Sequence, residues 1–421
     1  MIEGTKVLDI VVISHWFGHS PHCMECVLPY FLDRGWQVYH LTDKPEAAAR
    51  YFSESALVGH EKIRHIGMVE VPSEKPTRRK DAQLCRVEAH WKGVQLALEK
   101  LYQELGRKVG IFHTWVDLYS HEYLSPSIIA AAMPAPWTGL YVHPAELRIY
   151  KTWKRRVFDN LRDLLNRGKM FPSRLKAFNV PHARKIFFLD EGIPAKAKKF
   201  FRLEVPLEFF PESSRPLHVA DSFKFPELEK FCKEGRPILG ILGFLSKRKG
   251  LLTVARVARC EGINWSFIFA GSIDWGDFNE VEKQEVESFL KNHPKNVLFL
   301  NRSLTEEEFS FTLGICDVLY IAYENFFHSS GIQLKAAYLK KPIIAGPKHL
   351  IAERTRKFGL GWCLPEISVT ALTDLLNHID ENEFKRVIDS ALFEEFCEEH
   401  SPERLTKCLE EIGELVRTPR I

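Results

Sequence analysis

A stretch of small residues before a predicted helix has the composition of an anion-binding turn. Ser329, Ser330 and Gly331 open that helix, where unpaired backbone N–H groups and the positive end of the helix dipole attract negative charge. Glycine lets a ligand approach the backbone closely, and serine adds a hydroxyl donor. Taken alone, the three residues are more typical of an ordinary capped helix, so the context of this turn decides its interpretation.

A second candidate is the basic turn after the predicted strand 237–243. Gly243 ends that strand, and three cations follow before the next predicted helix, namely Lys247, Arg248 and Lys249. These charges could neutralise a diphosphate, whereas a solvated run of surface charge is the plain alternative.

The two candidates occur in an order that resembles the family-4 retaining glycosyltransferases. In that family the corresponding strand ends in Gly-Arg-Leu-x-x-x-Lys-Gly, and this chain reads Gly243-Phe-Leu-Ser-Lys-Arg-Lys249-Gly250. The resemblance continues in order through Phe269-Ala-Gly-Ser272, the segments 297–309 and 316–322, the Ser-Ser-Gly helix, Lys341-Pro342 and Phe358-Gly-Leu-Gly361. It covers about residues 236–365 and is weaker in the first half of the chain.

The resemblance implies the GT-B fold, in which two Rossmann-like domains face each other across a cleft, and a nucleotide-sugar donor. The residues that it implies for the donor diphosphate are Gly18, Gly243, Lys247, Lys249, Ser329, Ser330 and Gly331. Those that it implies near the nucleoside are Gly271, Arg302, Ser303 and Lys335. It further implies retention of anomeric configuration. Because this fold neutralises diphosphate with side chains and a helix dipole, we expect no metal and no other cofactor.

Two departures from the family pattern affect the donor site. Phe244 stands where the family has its diphosphate-binding arginine, which leaves Lys249 as the matching cation and Lys247 as a substitute. The family's paired glutamates are also absent, and their places fall near Phe327 or His328 and at Lys335. Recognition of the ribose is therefore the weakest part of the assignment.

Histidines in the first half are candidates for the acceptor side. His143 follows a predicted strand at a place where relatives have a histidine in the cleft, and it could contact the sugar or assist deprotonation of the acceptor. His113 also ends a strand, and His19 follows Gly18 in a loop after the first strand. A structural histidine and a plain strand-to-helix turn are the alternatives. We therefore take His143 and Lys249 as the catalytic candidates.

These residues need a scaffold of two α/β domains. Strand-like runs alternate with longer helical patterns over most of the 421 residues, which predicts parallel sheets. A helix is predicted to begin at Ser20-Pro21, and the predicted strands include 8–14, 66–71 and 237–243. We predict an acceptor domain over 1–191, a linker over 192–235 and a nucleotide-sugar domain over 236–380. The helices of 381–421 are expected to return toward the first domain.

Composition excludes several other classes of protein. The net charge of +3 gives no sign of nucleic-acid binding, and no apolar run reaches the roughly 20 residues that cross a bilayer. Nine scattered cysteines do not form a disulfide pattern, and Cys23 with Cys26 lacks the second ligand pair of a zinc site. We expect a cytoplasmic protein.

The segment 148–185 is strongly basic and carries apolar residues at helical spacing. Two interpretations remain open: peripheral contact with an anionic membrane that carries a lipid-linked acceptor, or the solvated face of a core helix.

The sequence therefore predicts a glycosyltransferase of glycan or glycolipid biosynthesis, with a glycan, glycolipid or small-molecule acceptor. The alternatives are a sugar-nucleotide epimerase or hydrolase of the same fold, for which no convincing pair of carboxylates is found, and a non-catalytic binding protein.

Overall fold

The computed structural model describes residues 8–16, 20–55, 59–77, 80–121, 123–142, 175–200, 203–212, 223–232, 235–388 and 392–417. The chain divides into two compact units, of which the first contains Met1–Ser213 with Pro402–Ile421 and the second Ser214–Ser401. Each unit has its own parallel sheet and flanking helices, which confirms the predicted α/β class and GT-B fold. None of the helices in the described ranges combines the length and the apolar character needed to cross a membrane.

The first unit is built on a seven-stranded parallel sheet with the strand order β3-β2-β1-β4-β5-β6-β7. Its strands are β1 (Asp9–Ser14), β2 (Gln37–Thr42), β3 (Ile63–Gly67), β4 (Ile111–His113), β5 (Trp137–Tyr141), β6 (Ala183–Phe188) and β7 (Leu207–Phe209). Its helices are α1 (Ser20–Asp33), α2 (Pro45–Glu54), α3 (Ala82–Leu105), α4 (Pro126–Ala132), α5 (Ile193–Phe200) and, at the end of the chain, α15 (Pro402–Arg417).

The sheet of the first unit is buried on both faces, which explains its continuous apolar strands. Alternate residues of β1 enter different clusters: Val11 and Ile13 pack with α3, while Ile10 and Val12 pack with α1 and α15. A parallel sheet covered by helices on both sides has this pattern. On the second face, Leu409 and Ile412 of α15 are fully buried, so the end of the chain completes the core of the first unit.

The second unit has a six-stranded parallel sheet with the order β10-β9-β8-β11-β12-β13. Its strands are β8 (Ile238–Leu242), β9 (Ser266–Ala270), β10 (Val297–Leu300), β11 (Val318–Ile321), β12 (Ile343–Ala345) and β13 (Gly361–Cys363). Its helices are α6 (Pro226–Phe231), α7 (Leu251–Ala258), α8 (Glu280–Lys291), α9 (Glu306–Ile315), α10 (Gly331–Tyr338), α11 (His349–Lys357), α12 (Val369–His378), α13 (Glu381–Ile388) and α14 (Leu392–Glu399).

The strand order reverses at one place in each sheet, between β1 and β4 in the first unit and between β8 and β11 in the second. We call these places the switch points. Open parallel sheets bind ligands at the carboxyl ends of their strands beside such a reversal. The chain segments that follow these four strands are therefore the first places to look for a site.

The predicted linker 192–235 differs from the structure. Residues of this range form α5 and β7, and β7 pairs with β6 as the last strand of the first sheet. A three-residue strand that contains Glu208 is too short to show a period of two in the sequence, which is why it was not predicted. At the other end of the chain, α13 and α14 lie in the second unit, whereas α15 belongs to the first.

Candidate functional site

The turn after β8 is held in place by glycine backbone geometry. Gly243 adopts a left-handed conformation with φ of 84°, and its N–H donates to the Ala270 carbonyl at 2.9 Å. Gly271 lies directly beside it, because a Cβ added to Gly271 would be 2.0 Å from the Gly243 oxygen. The turns after β8 and β9 therefore touch backbone to backbone, and only glycine at position 271 permits this contact.

Phe244 follows in the same turn and is 66% exposed. An exposed phenylalanine at the family's arginine position supplies no charge to a phosphate, so the cations of this turn must come from elsewhere.

Lys249 lies next to this turn, and its ammonium group is close to the backbone of Leu242 and Gly243. The Nζ atom donates to the Leu242 carbonyl at 3.3 Å and lies 5.6 Å from the centre of the Tyr323 ring. Burial, assisted by the neighbouring positive charge of Arg248, lowers the pKa of Lys249 to about 8. A lysine in this state gains from an added negative charge, because the anion would offset both the burial and the repulsion.

Arg248 is the second cation of the site. Its guanidinium carbon lies 4.7 Å from the Phe326 ring and 5.7 Å from the Tyr323 ring, and its carbonyl accepts a hydrogen bond from the Glu324 N–H at 2.8 Å. The buried Nη1 atom has no hydrogen-bond partner among the described residues. The segment after β11 therefore positions Arg248 through its backbone and its aromatic rings, and no acidic partner occurs among the residues that the structure describes.

Tyr323 connects these cations to the Ser-Ser-Gly helix. Burial raises the pKa of Tyr323 to about 12, and a side-chain hydrogen bond with Ser330 acts in the opposite direction. Because the same ring lies near both Arg248 and Lys249, the structure brings the basic turn and the start of α10 together at the switch point of the second sheet.

The amino end of α10 is open. Ser330 is the N-cap residue, but its side chain forms no capping hydrogen bond to the helix backbone. Gly331 is exposed, and a Cβ added there would meet no atom within 4 Å. Ser329 is half-buried beside it. The first N–H groups of this helix therefore face space in which an anion can approach.

Two of the predicted binding cations are already paired. Lys247 forms an ion pair of 2.6 Å with Glu282 of α8, and Arg302 forms two hydrogen bonds of 2.6 and 2.7 Å with Glu308 of α9. Arg248 is therefore the more available cation beside Lys249, and the role of Lys247 stays a prediction. The sequence could not separate the two, because Glu282 lies in a distant part of the chain.

The other predicted nucleoside contacts lie on the same side of the second sheet. Ser303 follows β10, and its hydroxyl is 3.2 Å from that of Ser272. The Lys335 ammonium lies 5.1 Å from the centre of the Phe309 ring. Tyr323 and Phe326 were missed by the sequence analysis, although aromatic residues directly after a buried strand at a switch point were a usable signal.

Several predicted residues of the first half lie outside the described residues, namely Gly18, His19, His143 and the range 148–174 of the basic segment. His113 is described, and its side chain is fully buried, so it does not offer a surface to an acceptor. Lys185 at the end of the basic segment forms ion pairs with Glu208 and Glu411. Its charge is therefore balanced within the first unit.

Cys23 and Cys26 lie on α1, and neither forms a disulfide bond within the described residues. Burial raises the pKa of Cys23 to about 12, so this residue stays a thiol at neutral pH. Zinc binds the thiolate, so this burial opposes metal binding by Cys23.

Comparisons with known proteins give matches at the level of structure. No family model matches the chain, and no curated protein matches it in sequence. A glycosyltransferase from Rickettsia africae superposes with a TM-score of 0.65 at 12% identity, over 99% of this chain and 100% of the other. Sucrose-phosphate synthase from Thermosynechococcus elongatus has a TM-score of 0.63 at 13% identity, over 96% and 97%. HepE from Anabaena, solved with UDP, has a TM-score of 0.63 at 13% identity, over 96% and 98%. These similarities establish the shared GT-B fold.

Proposed function

We propose that this protein is a glycosyltransferase that transfers a sugar from a nucleoside-diphosphate donor to a hydroxyl acceptor. The observation that carries the proposal is the convergence of Arg248, Lys249 and the open start of α10 around Tyr323. Two cations without an acidic partner in the described residues, beside free helix N–H groups, form a site for a diphosphate.

The chemistry follows from the charge that this site holds. The bond between the sugar C1 and the phosphate oxygen breaks, a bond from C1 to the acceptor oxygen forms, and the acceptor hydroxyl loses its proton. The leaving nucleoside diphosphate gains negative charge as the first bond breaks. Arg248, Lys249 and the Gly331 N–H stabilise that charge more strongly in the transition state than in the ground state.

Similar proteins support the choice of donor. HepE is solved with UDP and with UDP-glucose, so uridine nucleotides are the first donors to test here. The resemblance to family-4 enzymes supports retention of configuration and neutralisation of the diphosphate without a metal ion. His143 remains the candidate for the acceptor side. A glycolipid acceptor would agree with the basic segment 148–185.

Substitution of Lys249 tests the donor site directly. Lys249→Ala should weaken UDP binding by about 2–3 kcal/mol, or roughly 30- to 150-fold, because a partly buried cation at a phosphate is lost. The affinity for uridine, which has no phosphate, should fall about threefold or less. Isothermal titration calorimetry measures both ligands on both proteins. The matched control is Lys247→Ala, which should cost less because Glu282 already balances that charge. Equal losses for UDP and uridine would refute the assignment.

Turnover distinguishes the transferase from its alternatives. A panel of nucleotide sugars is first screened by thermal shift, because a selective ligand stabilises the native state. The best donor is then incubated with glycan, glycolipid and small-molecule acceptors, and released nucleoside diphosphate and sugar products are quantified. Transfer to an acceptor supports the proposal. Sugar release to water or a changed sugar configuration in the nucleotide indicates a hydrolase or epimerase, and tight binding without turnover indicates a binding protein.

A further inference from the structure

Three histidines meet at the switch point of the first sheet. His15 directly follows β1, and His113 is the last residue of β4, which is the strand paired with β1 on the other side of the reversal. His90 comes from α3, which packs over this face of the sheet. Side chains from three separate elements therefore meet where an open parallel sheet binds its ligands.

The three rings lie close together, two of them buried and that of His90 half-buried. One ring nitrogen from each of His15, His90 and His113 lies within 4.8 Å of the other two. The ring centres of His15 and His90 are 4.9 Å apart, and those of His15 and His113 are 6.4 Å apart. His15 is 1% exposed and His113 is fully buried. Tyr119 closes one side, with its ring stacked on His90 at a centroid distance of 3.4 Å.

Two ring nitrogens of the cluster have no hydrogen-bond partner in the described part of the chain. These are the buried Nε2 atoms of His90 and His113. Buried polar atoms in proteins are nearly always bonded, so two unbonded imidazole nitrogens in one cluster point to a ligand.

A carboxylate lies near the cluster. Asp43 follows β2 and acts electrostatically on His15. Imidazole nitrogens are common ligands of metal ions, and a nearby carboxylate favours a cation over an anion.

We propose that His15, His90 and His113 form a binding site for a divalent transition metal ion of the zinc type. Three imidazoles with one remaining position are a common ligand set for this ion. The ion would join the end of β1, the middle of α3 and the end of β4. The inference goes beyond the proposed function, because it concerns the first unit and no step of sugar transfer depends on it.

The geometry needs two small adjustments for the ion to bind. Metal–nitrogen bonds of about 2.0–2.1 Å in a tetrahedral site put the ligand atoms about 3.3 Å apart, so the ring nitrogens must move closer to each other by up to about 1.5 Å. His113 Nδ1 also accepts a long hydrogen bond of 3.2 Å from the Trp115 N–H. Coordination through Nε2 moves the ring proton to Nδ1 and replaces this bond.

Metal binding to the wild-type chain is the primary test. The protein is treated with chelator, dialysed against Zn²⁺ or Co²⁺ and assayed for metal content and for thermal unfolding. We expect one tightly held ion per chain, an increase in Tm that EDTA reverses and the visible absorption of tetrahedral Co²⁺. No retained ion, or an octahedral Co²⁺ spectrum without a shift in Tm, would overturn the proposal even before any variant is made.

Variants then locate the ion. His90→Gln keeps the approximate size of the side chain and should abolish both the retained ion and the metal-dependent increase in Tm, with far-UV circular dichroism of the metal-free protein unchanged. His182→Gln is the matched control, because His182 is exposed and lies before the amino end of β6, whereas the cluster lies at the carboxyl ends of strands of the same sheet. It should bind metal like the wild type. Loss of metal in both variants, or in neither, contradicts the assigned site.

Discussion

The two switch points of this protein occupy the same place in the same fold but carry different chemistry. In the second unit, β8 is followed by a turn with Arg248 and Lys249, and the ends of the neighbouring strands contribute aromatic rings and helix N–H groups. In the first unit, β1 is followed by His15, and the neighbouring elements contribute His90 and His113. One edge presents cations and the other presents neutral imidazoles.

This difference shows how burial acts on each set of side chains. Burial lowers the pKa of both kinds of group, but Lys249 begins from a value so high that its pKa remains at about 8, whereas His15 falls to about 4. At neutral pH Lys249 at the second switch point is therefore largely charged, whereas the His15 imidazole at the first is neutral. The fold supplies the position, and the identity of the side chains decides which charge of ligand suits it.

The largest expected effect comes from disturbing the backbone contact of the cationic turn. Gly271→Ala puts a Cβ 2.0 Å from the Gly243 oxygen at a residue with φ of 141°. We expect a loss of roughly 3 kcal/mol of unfolding free energy, from steric overlap and backbone strain together. Urea denaturation measures it. A loss below about 1 kcal/mol would show that the turn is loose and does not position Lys249.

Low pH should destabilise the first unit through a buried histidine, His40. The His40 ring forms hydrogen bonds with Ser14 Oγ at 2.6 Å and with His65 Nδ1 at 2.9 Å. Burial, together with the charge of His65, lowers the pKa of His40 to about 3. Between pH 6.5 and pH 3 this histidine is protonated in the unfolded chain but not in the folded protein, so the free energy of unfolding falls as the pH falls.

From pH 6.5 to pH 5 this residue should account for about 2 kcal/mol of lost unfolding free energy. His40→Gln should reduce the loss by that amount, while the exposed His293→Gln should leave it unchanged. Equal losses in all three proteins would show that His40 is accessible to protons in the folded state.

High pH should weaken UDP binding at the switch point of the second unit through deprotonation of Lys249. Because the pKa of Lys249 is about 8, the ammonium form is about nine-tenths populated at pH 7 and about one-tenth at pH 9 in the free protein. The affinity for UDP should therefore fall about tenfold over this interval. Lys249→Arg keeps its charge throughout and should flatten the profile. A wild-type affinity that is constant from pH 7 to pH 9 would place the phosphate away from this residue.

The smallest effect on stability is expected at the open start of α10. Gly331→Ala adds a methyl group that meets no atom within 4 Å, so the unfolding free energy should change by less than about 0.5 kcal/mol. UDP affinity should nevertheless fall several-fold, because the methyl group occupies the approach to the first helix N–H groups. Calorimetry and thermal unfolding separate the two effects. Unchanged UDP affinity would remove this helix end from the phosphate site.

Local signals in the sequence predicted the scaffold well. The apolar runs at 8–14 and 237–243, the Ser20-Pro21 helix start and the start of a helix at Gly331 all depend on residues that are neighbours in the chain, and the structure has β1, β8, α1 and α10 at these places. The predicted strand at 66–71 is placed too late, because β3 ends at Gly67 and Val69 is exposed.

Features that depend on distant residues were not predicted. The choice between Lys247 and Arg248 depends on Glu282, and the position of Arg248 depends on aromatic residues that follow another strand. The histidine cluster combines a strand end, a helix and a second strand end from widely separated parts of the chain. No spacing rule could have found it, since only the strand order brings these residues together.

The return of α15 to the first unit has a consequence for how the protein is made. Leu409 and Ile412 are buried in the core of that unit, and Gly110 lies so close to the Val416 carbonyl that an added Cβ would be 2.5 Å from it. Domains generally fold as units during synthesis, from the amino end onward. Here the amino-terminal sheet emerges from the ribosome first but lacks part of its core until the final helix is translated, so residues 214–401 have time to fold before it is complete.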